Sequence, residues 1–296
     1  MYANAGFISM QEENILMLIT RILNNNVVFS VNESKEEVIV TGLGVGFKQK
    51  IGDIIPQQKI EKIFTTEQNT SNNRFIQLLE EIPFDYFSLA DGIIEYAEQK
   101  LGKPLNKVIY VTLTDHIHYA ITRYKEGIFF ENRLLWEIRK FYPEEFKIAK
   151  ECLLRINEYV SVDLPEDEAG FMALHIVNAE NDYGSVNETM QVTVLIQDVL
   201  NIIRYHFKIT SDENSLEYQR LIVHLKFFTM RMYEAVPKKT LQTDKLLLRQ
   251  IIHDMPEAYK CTKKINEYLI KQHNYRLEND EVVFLTAHIE RLIKNN

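Results

Sequence analysis

Cysteine, proline, basic charge and long apolar runs are all scarce in this sequence, and each scarcity excludes something. Two cysteines in 296 residues are too few for a disulfide scaffold. Seven prolines, with 46% hydrophobic and 26% charged residues, exclude fibrous and disordered chains and leave a folded globular one. No stretch approaches the roughly 18 to 20 continuous apolar residues that a membrane helix requires, so no membrane insertion is expected. Residues 1–16 have neither a basic start nor an apolar run and do not read as a secretory signal. A cytoplasmic location is expected.

Basic residues are outnumbered, 34 against 42 acidic, for a net charge of −8. Such a chain does not hold nucleic acid by bulk attraction, because that affinity comes from local neutralisation of phosphates. Only residues 17–66, with six basic and five acidic side chains, offer a confined patch.

What is present is a duplication. Residues 167–176 read DEAGFMALHI and residues 280–289 read DEVVFLTAHI. Upstream of each lies a second matching string, CLLRINEY at 152–159 and CTKKINEY at 261–268. Further upstream, His116 with Arg123 matches His224 with Arg231. Ordered matches spaced about 110 residues apart, with about four residues inserted between Tyr268 and Asp280, describe one module present twice. Cys152 and Cys261 occupy equivalent places in the two copies, which points to packed thiols rather than a bond between them.

The residues before the repeat have a different texture. Segments 15–22, 27–31 and 38–40 are apolar, rich in β-branched residues, and separated by polar stretches, which predicts short strands. Four of the ten glycines fall in residues 42–52, which marks tight turns or close backbone approach. The string lacks the third glycine of a dinucleotide loop and the Gly-Lys-Ser/Thr ending of a P-loop. About fifty residues of sheet bury a marginal core, and such a unit usually pairs with another copy. Polar residues 65–73 read as a linker. From Arg74 onward apolar residues recur every three or four positions, broken near Pro83, Pro104, Pro143 and Pro256, with a second linker at 181–188. The expected architecture is multidomain: a small all-β N-terminal domain followed by two homologous all-α helical bundles. The expected boundaries are an extension or alternative start at 1–16, the β domain at 17–66, and helical domains at 67–182 and 183–296.

Of eight histidines, the repeat singles out His116, His175, His224 and His288. Three readings compete: packing residues, metal ligands with Asp167 or Asp280, and phosphoryl acceptors, since neutral imidazole is a nucleophile that titrates near pH 7. Neither copy has a His pair at i, i+4 or a Cys-His cluster, so no metal or other cofactor is expected.

These strings resemble the BglG/SacY-type transcriptional antiterminators. The family's opening Met-x-Ile-x-Lys/Arg and Asn-Asn-Asn-Val matches Met17, Ile19, Arg21, Asn24, Asn25, Asn26 and Val27, and its glycine string matches residues 42–53. The repeated histidine strings resemble its paired regulation domains. The resemblance implies a non-enzymatic homodimer whose sheet binds an RNA hairpin in a nascent leader transcript and keeps an overlapping terminator from forming. It implies phosphorylation of His116, His175, His224 and His288 by the sugar phosphotransferase system, through the phosphocarrier HPr and a sugar permease. Arg21, Asn24 and Asn26 would supply donors and Phe47 a stacking face; Gly42 and Gly44 would let RNA approach the backbone, and Lys48 and Lys50 would face phosphates. The plainer readings are a hairpin turn for Asn24 to Asn26, a core ring for Phe47 and solvated lysines. Where the family often has Arg or Lys between its first two glycines, this chain has Leu43. The competing function is a DNA-binding activator with the same regulation domains, which calls for a helix-turn-helix start; a metal-dependent hydrolase is more distant.

Overall fold

The computed structural model describes residues 17–65, 70–181, 185–209, 212, 215–233 and 245–294; the expected extension at 1–16 and residues 66–69 of the first expected linker lie outside them. Four antiparallel strands come first: β1 (Arg21–Asn24), β2 (Val27–Val31), β3 (Glu37–Thr41) and β4 (Lys62–Thr65), in the order β1-β2-β3-β4. The strand expected at 15–22 begins later, at Arg21, because residues 17–19 pair instead with the loop after β3. Leu18 bridges to Ile54, and Ile19 accepts a bond from Gly52 N at 2.8 Å. The described start of the chain is therefore sheet, with no helix-turn-helix among residues 17–65.

Alternation along β2 and β3 sends Val28, Val38 and Val40 into one cluster with Met17, Ile19, Val45 and Ile55. Phe64 of β4, opposite Ile39, instead meets helical rings edge-on, Phe75 at 5.0 Å and Tyr110 at 5.1 Å between centroids. The core left marginal by sequence length is thus extended by helices of the same chain. That first compact unit comprises the sheet, the helical residues as far as Ile94, and Tyr110–Tyr119.

Eleven helices follow among the described residues: α1 (Thr70–Glu81), α2 (Phe84–Leu101), α3 (Val108–Lys125), α4 (Leu135–Phe141), α5 (Pro143–Val160), α6 (Glu166–Asn181), α7 (Val186–Phe207), α8 (Leu216–Tyr233), α9 (Lys245–Asp254), α10 (Pro256–His273) and α11 (Asn279–Lys294). The two expected linkers are shorter than their polar composition suggests. Residues 70–73 belong to α1, and Ser185 caps α7 by accepting from Glu188 N at 3.2 Å, a polar start that reads as loop until the cap is seen. Pro143 and Pro256 open α5 and α10 at the first-turn position, where no N–H is needed.

The second compact unit, residues 95–109 and 120 onward, shows what the repeat encodes. Asn157 Oδ1 accepts from Leu164 N at 3.1 Å, and its counterpart Asn266 accepts from Leu277 N at 2.9 Å. The partner is seven residues ahead in the first copy and eleven in the second. The four residues expected as an insertion after Tyr268 are not there: α5 and α10 are both 18 residues long, each opening on a proline and ending on a left-handed cap, Ser161 and Asn274. The helices therefore correspond at an offset of 113, and Asn266 reaches its leucine from one turn earlier than Asn157 does. Cys152 and Cys261 are both free and buried, and burial pushes each thiol up to about 12. No described helix is long and apolar enough to cross a membrane.

Candidate functional site

At one end of the sheet the asparagine turn and the glycine loop are stitched together. The β1-β2 turn is an Asx turn, in which Asn24 Oδ1 accepts from Asn26 N at 2.9 Å. Because Val27 pairs with Thr41, the residue after β3 arrives beside that turn. Gly42 N donates to Asn26 O at 3.0 Å, Gly44 N to Asn26 Oδ1 at 2.7 Å, and Gly46 N to Asn25 O at 2.9 Å. Two residues that the motif did not point to complete the frame. Lys59 Nζ donates to Gly44 O at 2.9 Å, and Glu61 Oε1 accepts from Leu43 N at 3.1 Å. Neither has a spacing signal in the sequence, since they arrive from the segment before β4.

Contacts within the chain already engage two of the expected site residues, Asn24 and Gly42. Asn24 Nδ2 donates to Leu79 O at 2.9 Å in the last turn of α1, so the expected donor is already engaged inside the chain, where it satisfies a helix-terminal carbonyl. A Cβ at Gly42 would lie 1.8 Å from Lys59 O, so its bare Cα accommodates the chain itself rather than an approaching ligand. Gly44 needs glycine for its φ of +68°, with no atom nearer than 3.7 Å to an added Cβ. Phe47 is half exposed rather than a core ring, with Lys48 Nζ 5.3 Å from its centroid. Lys48 and Lys50 are exposed, and Lys50 N donates to Asp53 Oδ2 at 2.7 Å. Arg21 lies over the Phe29 ring at 3.6 Å. Leu43, at 69% exposed, projects an apolar side chain from the loop's tip.

In the second unit, α8 and α11 bring His224 and His288 together. Their rings stack with centroids 4.8 Å apart and planes 24° from parallel, and Phe284 lies 6.1 Å from His224. Burial, then His288, then Arg231 push the His224 imidazole down to about 4. Burial, then Arg291 and Arg220, lower His288. At neutral pH both rings are therefore neutral, the form with a nucleophilic nitrogen lone pair. His116 is half-buried on α3 in the first unit, and His175 is buried on α6 in the second.

The acidic pair before each repeated histidine builds helix starts. Asp167 Oδ1 accepts from Asn132 N at 2.7 Å, and Glu168 meets Arg123 at 3.0 Å with both side chains 5% exposed. Glu281 accepts from Tyr275 OH at 2.7 Å and from Glu278 N at 2.9 Å, the acidic half of a capping box. Among the described residues no group of three or more His, Cys, Asp or Glu gathers around a metal-sized site.

Comparison with known proteins agrees with this division. The CAT RNA binding domain matches residues 17–73, and the PRD domain matches residues 91–179 and 197–292. The transcription antiterminator LicT of Bacillus subtilis is 43% identical over 282 residues, covering 94% of this chain and 99% of LicT. The beta-glucoside operon antiterminator of Dickeya chrysanthemi is 39% identical over 276 residues, covering 93% of this chain and 96% of the relative. The crystal structure of GlcT CAT-PRDI superposes with a TM-score of 0.50 at 35% identity, over 55% of this chain and 97% of that one. A four-stranded sheet that matches the RNA-binding domain, two helical repeats that match the regulation domain, and relatives aligned nearly end to end make the chain a member of the family of transcription antiterminators built from one CAT RNA-binding domain and two PRD domains.

Proposed function

We propose that this chain is a non-enzymatic antiterminator: its sheet holds an RNA hairpin in a nascent leader transcript, and phosphoryl groups on histidines of the helical repeats set whether it does so. The observation that carries the RNA reading is the stitched loop, matched to an RNA-binding domain, that presents Asn26, Phe47 and Lys48 from one rigid frame. Unpaired bases in a hairpin loop or bulge are read by stacking and by hydrogen bonds to their edges, which an exposed ring and an amide supply. Asn26 and Phe47 are the contacts to bases, while Lys48, Lys50 and Arg21 face phosphates. Asn24, Gly42 and Gly44 shape the loop. With Leu43 in place of a cation, the RNA element recognised has one phosphate or base contact fewer.

The acceptors are His116, His175, His224 and His288. Their donors are phosphocarriers of the sugar phosphotransferase system, HPr and a sugar permease, so the protein works in the cytoplasm where carriers and nascent transcripts meet. A phosphoryl group brings about −1.5 to −2 charges onto a helical face that now carries a neutral ring. The active species is a homodimer, and charge at the histidines alters how its helical domains pack. In a filter-binding titration with a leader hairpin, the full chain binds specifically, and Asn26→Ala with Phe47→Ala loses at least ~10-fold in affinity, the scale of one lost base stack. Equal affinity of the wild type for the hairpin and for a scrambled RNA overturns the reading.

A further inference from the structure

The two repeats share their histidines but not the charges around them. On α8, Arg220 stands four residues before His224 and Arg231 seven after it; on α11, Arg291 stands three residues after His288. Positions three, four and seven apart share a helix face, and neighbours at three and four lie about 5–6 Å apart at Cβ. Since the two rings stack at 4.8 Å, the three arginines flank a single site rather than two. All three are exposed, and none forms an ion pair with a described carboxylate. Glu290, the acidic neighbour of Arg291, is drawn instead to Lys294 at 3.1 Å.

At the matching positions of the first repeat the charges are missing or cancelled. Arg220 corresponds to Thr112 and Arg291 to Asn178. Arg231 corresponds to Arg123, which is held by Glu168 at 3.0 Å in a buried ion pair. In the second repeat the equivalent carboxylate, Glu281, is claimed by Tyr275 and by the backbone of Glu278. Tyr275 has thereby taken over the acid that neutralises the arginine in the first copy.

We propose that Arg220, Arg231 and Arg291 form a cradle for a phosphoryl group carried on His224 or His288, which makes the second repeat the one that retains its phosphoryl group. The proposal rests on the reading that these histidines are phosphorylated. Guanidinium groups bind phosphoryl oxygens through paired N–H donors, so a phosphoryl group in this site gains charge-assisted bonds that the first repeat does not supply. The same cations disfavour protonation of the imidazole, and a phosphohistidine is hydrolysed through its protonated ring. Both effects lengthen the life of the modification. The depressed basicity of both rings agrees with cations close by.

Potassium phosphoramidate tests this without any partner protein. The phosphorus–nitrogen bond of the reagent breaks, a new one forms to an imidazole nitrogen, and ammonia leaves with the proton that the ring gives up. The full chain is loaded, freed of reagent at pH 7.5, and followed by site-resolved mass spectrometry and phosphorus NMR. Phosphoryl groups at His224 and His288 are expected to outlast those at His116 and His175 several-fold. In the triple Arg-to-Gln variant at 220, 231 and 291, the second-repeat lifetime is expected to fall by about 10-fold or more, the lower end of the worth of one charge-assisted bond. The triple Arg-to-Lys variant recovers part of that loss, and the three single Gln variants serve if the triple does not fold. Normal loading at His224 or His288 with a lifetime unchanged by the Gln variants overturns the cradle alone. No loading at either histidine overturns the phosphorylation reading and the cradle with it.

Discussion

The stacked histidine pair makes a prediction that can be worked through from acidification alone. A free imidazole protonates near 6.5, whereas burial first, His288 second and Arg231 third hold His224 down to about 4. As pH falls below 6.5 the unfolded chain takes up a proton here that the folded chain refuses until about 4. The contribution to stability is therefore complete above 6.5 and is lost as pH falls through the window down to 4. A gap of about two and a half pH units corresponds to at most ~3 kcal/mol, and solvent at the exposed edge of the ring reduces it to ~1–2 kcal/mol. Proton NMR of the imidazole Cε1–H, assigned with His224→Gln, is expected to show a midpoint well below 5.5. Because burial leads the causes, His288→Ala is expected to leave that midpoint low, with only a small rise. A wild-type midpoint at 6.5 refutes the reasoning outright, and a full return to 6.5 in His288→Ala refutes burial as its leading cause.

Other substitutions probe the frame around both sites. Gly42→Ala drives a Cβ to 1.8 Å from the Lys59 carbonyl, so it displaces the loop and lowers RNA affinity at least ~10-fold in the filter-binding assay, whereas a change at exposed Lys50 costs less. Glu168→Gln removes the carboxylate charge that meets buried Arg123 and is expected to cost ~3–5 kcal/mol in urea unfolding of the helical unit. Burial first and Glu145 second raise Glu180 to about 7, against Lys103 at 3.1 Å, so the folded chain holds a proton that the unfolded chain has released above about 4.5. That contribution is present at low pH and lost as pH rises through 7, so Glu180→Gln is expected to raise the melting temperature at pH 8 and leave it unchanged at pH 4.

How far the sequence carried the account differs between the two sites. The helical duplication was legible because Asp167 and Asp280 open equivalent helices with the same acidic pair, whereas the strings around Asn157 and Asn266, which each hold the leucine N–H ahead of those helices, sit one turn apart. The four-residue gap was visible, but its place was not: α5 and α10 are equally long, so the extra residues fall before Pro256 rather than after Tyr268. The loop residues Asn26, Gly44 and Phe47 were legible as a motif, yet the roles of Asn24 and Gly42 were not. Their partners, Leu79 and Lys59, come from segments distant in sequence, and nothing local in either residue reports such a contact. The pairing of His224 with His288 depends on how α8 meets α11, which the periodicity of each helix alone does not fix. Tyr275 carried no repeat signal, because its counterpart just after the left-handed cap of α5 is Val162, which has no hydroxyl.

The measurement that bears most directly on the account is single-round transcription across a leader that contains the hairpin and its overlapping terminator, with the full chain added before elongation. The account predicts that the wild-type protein increases read-through in proportion to its occupancy of the hairpin. It predicts that Asn26→Ala with Phe47→Ala abolishes the increase, and that acidic replacement at His224 and His288 alters hairpin occupancy and read-through together. Termination that stays unchanged at protein concentrations saturating the hairpin contradicts the central claim.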